Sequence, residues 1–213
     1  MNRNIKLNTV SENMKDETVE IKNYQCRMIS SKGKGSSIVL LHGFMFTSDV
    51  WNEIGLLRIL EQRNIPFKAL DMPYGKISEC SPRTNDVYKN MELLSSIAGK
   101  DPVIVGASLG GFIALKYSVS HPVRGLLLAA PVMSMQKELM QHYKTFNSAI
   151  SIIYGEKDNI VSANEMKKLS QSTNTKLKIY KEASHAAYLD YPEQFVKDVL
   201  ELYDIATGNH EQI

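Results

Sequence analysis

The chain has 213 residues, 43% hydrophobic and 23% charged, with a formal net charge of +2. That balance is ordinary for a globular protein and too even to point to nucleic acid or an anionic membrane as partner. The length suits one domain that needs no staples, no apolar run approaches the ~20 residues of a membrane span, and the polar start carries no secretory h-region.

Residues 1–17 are polar and aperiodic and are expected as a flexible lead-in, ahead of one domain over 18–205 and a polar tail over 206–213. Thr18 to Ile29 alternates loosely through Val19, Ile21, Tyr24, Cys26 and Met28, which predicts one or two antiparallel edge strands. Cys26 and Cys80 fit no metal spacing and are expected as free thiols, in keeping with a cytoplasmic protein. Ser37–Leu41 reads as a buried strand ending at His42-Gly43-Phe44. Thr47 or Ser48 can cap a following helix whose Val50, Ile54, Leu57 and Leu60 share a face. Ile65–Asp71 is the next strand, broken at Met72-Pro73-Tyr74-Gly75, and residues 84–98 have helical spacing.

Asp101–Val105 is an apolar strand, and Gly111–Tyr117 an apolar helix. Between them lies Gly106-Ala107-Ser108-Leu109-Gly110, the G-x-S-x-G of a strand–turn–helix elbow. So tight a turn strains the serine backbone and leaves room only for glycine at Gly106 and Gly110. Arg124–Ala130 and Ala149–Tyr154 are further strands, with an irregular helical stretch near 135–146 between them. Ser162 and Glu165 form a capping box, Lys176–Tyr180 is the last strand, and Pro192 opens a terminal helix. Strands alternating with helices predict an α/β fold, an open, mostly parallel sheet wound on both faces, with ligands beyond the strand C-termini.

A serine hydroxyl needs an adjacent base, and the base needs an orienting acid. Of the histidines after Ser108, His121 ends a helix, His142 lies on a helix surface and His210 is in the tail. His185, in the loop after the last strand, is the expected base. Asp158 follows the penultimate strand and is the expected acid, ahead of Glu156, which comes too early, and Asp190, which is better placed to start the last helix. The order Ser108, Asp158, His185 is that of α/β-hydrolases. The oxyanion donors are expected at the backbone N–H groups of Leu109 and Phe44. His42 is read as holding its loop rather than as a base.

Leu41-His42-Gly43-Phe44, Asp71-Met72-Pro73-Tyr74-Gly75, the elbow, Gly155-Glu156-Lys157-Asp158 and Ser184-His185 occur in order. Through them the chain resembles the α/β-hydrolase fold from about residue 18 to 204. Within that fold, His42–Trp51, Leu128–Met133 and Ala183–Pro192 are similar to the small capless group typified by CCG1-interacting factor B. The resemblance implies hydrolysis of small acyl esters, or acyl transfer to or from amines and coenzyme A. The gap from Val132 to Ser148 holds one helix and two loops, so no separate cap domain is expected. The walls of an open, shallow site are then expected from Phe44, Met45, Phe46, Leu109, Tyr74, Val132, Met133 and Ile160. The expected partner is a small-molecule acyl substrate, with no metal or bound cofactor needed. The rival readings are an acyltransferase or deacylase using the same three residues, and a non-catalytic interaction module. The sequence leaves the oligomeric state open.

Overall fold

The structure is a computed structural model, and it describes residues 14–208. Among them, β1 (Met14–Ile21) and β2 (Tyr24–Ser31) form an antiparallel hairpin turning at Lys22-Asn23. The first turn of that strand was expected to be lead-in. Residues 14–17 are strand instead, because Met14 to Glu17 pair directly with Ser31 to Met28. Residues 1–13 and 209–213, including most of the expected lead-in and tail and His210, lie outside the described residues.

The parallel centre consists of β3 (Ile38–Leu41), β4 (Phe67–Leu70), β6 (Val103–Ala107), β7 (Gly125–Ala129), β8 (Ala149–Gly155) and β9 (Leu177–Tyr180). The spatial order is β1-β2-β4-β3-β6-β7-β8-β9, with the two-residue β5 (Cys80–Ser81) on β2. Among the described residues β9 pairs only with β8 and forms the far edge. The parallel strands are added to one side of β3 at β4 and to the other side at β6, and this switch places the loop after β3 beside the loop after β6.

Alternation along these strands splits the core in two. Val39 and Leu41 point into one apolar cluster, with Leu94, Ile113 and Leu128; Ile38 and Leu40 point into the other, with Trp51, Phe195 and Val199. Strands buried on both faces explain why β3, β6 and β7 read as continuous apolar runs rather than as alternating ones.

The helices are α1 (Asp49–Glu53), α2 (Leu56–Gln62), α3 (Val87–Ala98), α4 (Leu109–Ser120), α5 (Lys137–Met140), α6 (Ala163–Ser172), α7 (Ala187–Asp190) and α8 (Pro192–Thr207). The single helix expected through Val50–Leu60 is two, because Gly55 adopts φ +75° and redirects the chain. Between β7 and β8 there is only α5 and a 3₁₀ turn at Tyr143–Thr145, with no cap domain. In the capping box, Ser162 Oγ accepts the Glu165 N–H, but the Glu165 carboxylate accepts from Ser134 Oγ instead of reaching back.

Cys26 and Cys80 are not free thiols as expected. They are joined as a disulfide, because β5 folds back onto β2 and sets the two residues opposite each other across a separation of 54. A two-residue strand leaves no periodic signal from which that pairing could be read. Among the described residues no helix is long and apolar enough to cross a membrane.

Candidate active site

Ser108 sits between β6 and α4 at φ 52°, ψ −113°, a left-handed backbone that L residues avoid. The neighbours hold it there: its N–H donates to the Ala129 carbonyl at 2.8 Å, and its own carbonyl accepts from Phe112 at 3.1 Å and Val132 at 3.3 Å. Gly110 is required by close approach, since a Cβ there would lie 2.3 Å from the Leu41 carbonyl oxygen. The hydroxyl therefore stands at the N-terminus of α4, the positive end of a helix.

His185 reaches it from the loop after β9. Its Nε2 is 2.9 Å from Ser108 Oγ, and its Nδ1 is 2.7 Å from Asp158 Oδ2. A carboxylate only accepts, so Nδ1 carries the proton and donates to Asp158. Nε2 is left with a lone pair facing the serine hydroxyl. Asp158 is fully buried at its side chain while His185 is 22% exposed. The second Asp158 oxygen accepts from the N–H groups of Ile160 at 2.8 Å and Val161 at 3.0 Å, so the carboxylate cannot swing away. The structure thus brings together three residues separated by 50 and 27 positions in the chain.

Two residues set aside as rival acids turn out to brace the histidine loop. Asp190 Oδ2 accepts from both the N–H and the Oγ of Ser184, each at 2.6 Å, instead of starting the last helix. Glu156 Oε2 accepts the Glu182 N–H at 3.0 Å. Ser184 precedes Asp190 by six residues, a spacing that has meaning only once α7 folds the chain back.

Leu109 is the first residue of α4, so its N–H has no intrahelical acceptor. Gly43 packs against Ser108, and a Cβ built there would lie 3.6 Å from the serine Cβ. Phe44 follows in a turn closed by Phe46 N–H on the Gly43 carbonyl at 3.1 Å. Its own carbonyl accepts from Lys76 at 2.7 Å, while neither the Phe44 nor the Leu109 N–H is used by another group among the described residues.

His42 is wholly buried, as befits a residue that holds its loop. The Met72 N–H donates to Nε2 at 2.9 Å, so Nδ1 bears the proton and donates to the Gly43 carbonyl at 2.8 Å. Burial pushes its pKa below the usual 6.5, which keeps the ring neutral. His121 and His142 lie away from Ser108: His121 stacks on Tyr117, and His142 precedes the 3₁₀ turn.

The expected walls divide. Phe44, Met45, Met133 and Ile160 are 42%, 52%, 45% and 65% exposed, on loops at the C-terminal edge of the sheet. Val132 and Leu109 are half-buried against the core, and Phe46 packs edge-on to Tyr188. Tyr74 is not a wall: it is buried, and its hydroxyl donates to the His42 carbonyl at 2.6 Å. A large groove opens elsewhere, between β9 and α8. No group of three or more His, Cys, Asp or Glu among the described residues is arranged to hold a metal ion.

Comparison with known proteins follows the same lines. Protein ABHD14A of Danio rerio is 32% identical over 170 residues, covering 77% of this chain but 63% of that protein, so the chain spans less than two thirds of this relative. ABHD14B of Homo sapiens, provisionally described as a protein-lysine deacylase, is 26% identical over 78% of this chain and 81% of its own length. A crystal structure from Thermoplasma acidophilum, described as a predicted CIB-like hydrolase, superposes with a TM-score of 0.78 over 91% of this chain and 98% of that one. At 22% identity that likeness shows the fold. These agree with the resemblance to the CCG1-interacting factor B group. Residues 38–149, more than half of the chain, match the Alpha/beta hydrolase family, and the chain belongs to it.

Proposed function

We propose that the chain is a serine hydrolase acting on small carboxylic esters through an acyl-enzyme. The observation that carries this reading is the continuous hydrogen-bonded line Ser108–His185–Asp158, at 2.9 and 2.7 Å, on a strained elbow. His185 Nε2 takes the Ser108 proton as Oγ attacks the ester carbonyl. The imidazolium so formed is stabilised by the buried Asp158 carboxylate and then returns the proton to the leaving alcohol. The oxyanion of the tetrahedral intermediate is received by the N–H groups of Leu109 and Phe44, each worth roughly 2.7–4 kcal/mol in the transition state. Water, deprotonated by His185, attacks the acyl-enzyme and releases the acid. The exposed Phe44, Met45, Met133 and Ile160 offer open apolar surface, which favours short acyl groups.

A second reading is supported by the description of ABHD14B: the same residues would remove an acyl group from an amine. Its chemistry differs only in the leaving group, which must be protonated by His185 before it departs.

Fluorophosphonate labelling with peptide mapping tests the proposal. An adduct on Ser108 is expected, absent in Ser108→Ala and slowed by several orders of magnitude in His185→Ala; Asp158→Asn should lower ester kcat by about 10⁴-fold through the wrong imidazole tautomer. Well-folded wild type that takes no label would sink the reading. Equal turnover of an acetylated-lysine peptide and a short ester would favour the second reading.

A further inference from the structure

Asp71 follows β4, is fully buried, and forms no salt bridge among the described residues. A buried carboxylate is costly unless its oxygens are met by donors. Here three meet it: Ser48 N–H at 2.7 Å and Ser48 Oγ–H at 2.5 Å on Oδ1, and Glu79 N–H at 3.1 Å on Oδ2.

The two donor residues belong to segments that meet at Phe44. Ser48 closes the loop from β3 to α1, which contains the Gly43–Phe46 turn and therefore Phe44. Glu79 belongs to the loop from β4 to β5, whose Lys76 N–H donates to the Phe44 carbonyl at 2.7 Å and whose Gly75 abuts the His42 ring. Ser48 precedes α1 without capping it: its own backbone is helical, at φ −61° and ψ −17°, and its hydroxyl is turned to Asp71.

We infer that Asp71 is a positioning residue for the oxyanion site: it ties the loop that carries Phe44 to the loop that holds the Phe44 carbonyl, and so sets the aim of the Phe44 N–H. The inference rests on the serine hydrolase reading above. An N–H displaced by about 1 Å from a developing oxyanion loses much of its value, whereas substrate binding to the apolar rim does not depend on it. Loss of Asp71 therefore acts on kcat and spares KM.

The test is steady-state hydrolysis of a short aryl ester by wild type, Asp71→Asn and Ser48→Ala, with active sites counted by fluorophosphonate titration. Expected are a kcat per labelled serine lowered about 10²-fold in Asp71→Asn and about 10-fold in Ser48→Ala, with KM within twofold of wild type. A trifluoromethyl ketone, which forms the tetrahedral adduct, should lose affinity in step with kcat/KM. Ser48→Ala removes one bond and decides the matter if Asp71→Asn does not fold. Wild-type turnover with unchanged kcat in the folded variants overturns the inference alone, as does a loss confined to KM. Wild type that neither turns over nor takes the label overturns the hydrolase reading, and the inference with it.

Discussion

Ser108, His42 and Asp158 each sit in a state that an isolated side chain would not choose, and each is held there by bonds to main chain. The serine carries a positive φ, the histidine is stripped of water, and the aspartate is buried opposite a ring that bears its proton. For His42 this has a measurable consequence. Its pKa is lowered by burial, so between its native value and 6.5 the unfolded chain binds more protons than the native one. Its contribution to stability is complete above about 6.5 and erodes as pH falls, by up to about 1.4 kcal/mol per pH unit. Thermal unfolding should thus drop from pH 7.5 to 5.5, and His42→Gln should flatten the slope. A variant slope as steep as that of wild type would assign the acid sensitivity elsewhere. That Ser108, Asp158 and His185 would lie together was readable from the G-x-S-x-G turn and from the places of the other two in the loops after the last two strands. Asp71 and Asp190 were not legible as braces, since their partners are brought to them by folding. Tyr74 was misread for a related reason: an aromatic beside a turn can face outward or in, and only the His42 carbonyl across the loop decides it.

At the scale of elements, the parallel strands were read well and the helices unevenly: α4 runs beyond the Gly111–Tyr117 read for it, while the stretches at 50–60 and 135–146 are divided or shorter. Buried parallel strands announce themselves by unbroken Val, Ile and Leu, as in Ile38–Leu41 and Gly125–Ala129. The short α5 and α7, and the two-residue β5, offer too few residues for a period to emerge. The division of α1 from α2 hangs on Gly55, whose φ of +75° a helix-period reading overlooks. Nothing lies within 4 Å of a Cβ placed there, so Gly55→Ala carries only backbone strain. It should cost on the order of 1 kcal/mol, seen as a Tm lower by a few degrees, and leave ester kcat unchanged. A fall in kcat equal to that of Ser48→Ala would show that the α1–α2 joint reaches the site.

Across the whole molecule, one sheet divides two apolar clusters and delivers the elbow, the acid loop and the histidine loop to the same edge. That much was contained in the alternation of strands and helices, because parallel strands joined by crossovers put all their C-termini on one side. The same sheet stops at β9, whose outer backbone groups have no neighbouring strand among the described residues. An unpaired strand is a template on which another chain can grow. Here Lys176, Lys178 and Lys181 punctuate the edge, and Lys178 is tied down by Asp198 and Glu201. Two such edges brought together would set lysine against lysine. Lys176→Val with Lys181→Val should turn that repulsion into adhesion, raising light scattering on concentration; a double variant as dispersed as wild type would mean that shape, not charge, guards the border. Lys176 and Lys181, on either side of β9, are thus expected to act as gatekeepers against fibrous growth, a protection that acetylating these two would remove while the Lys178–Asp198 pair stays in place.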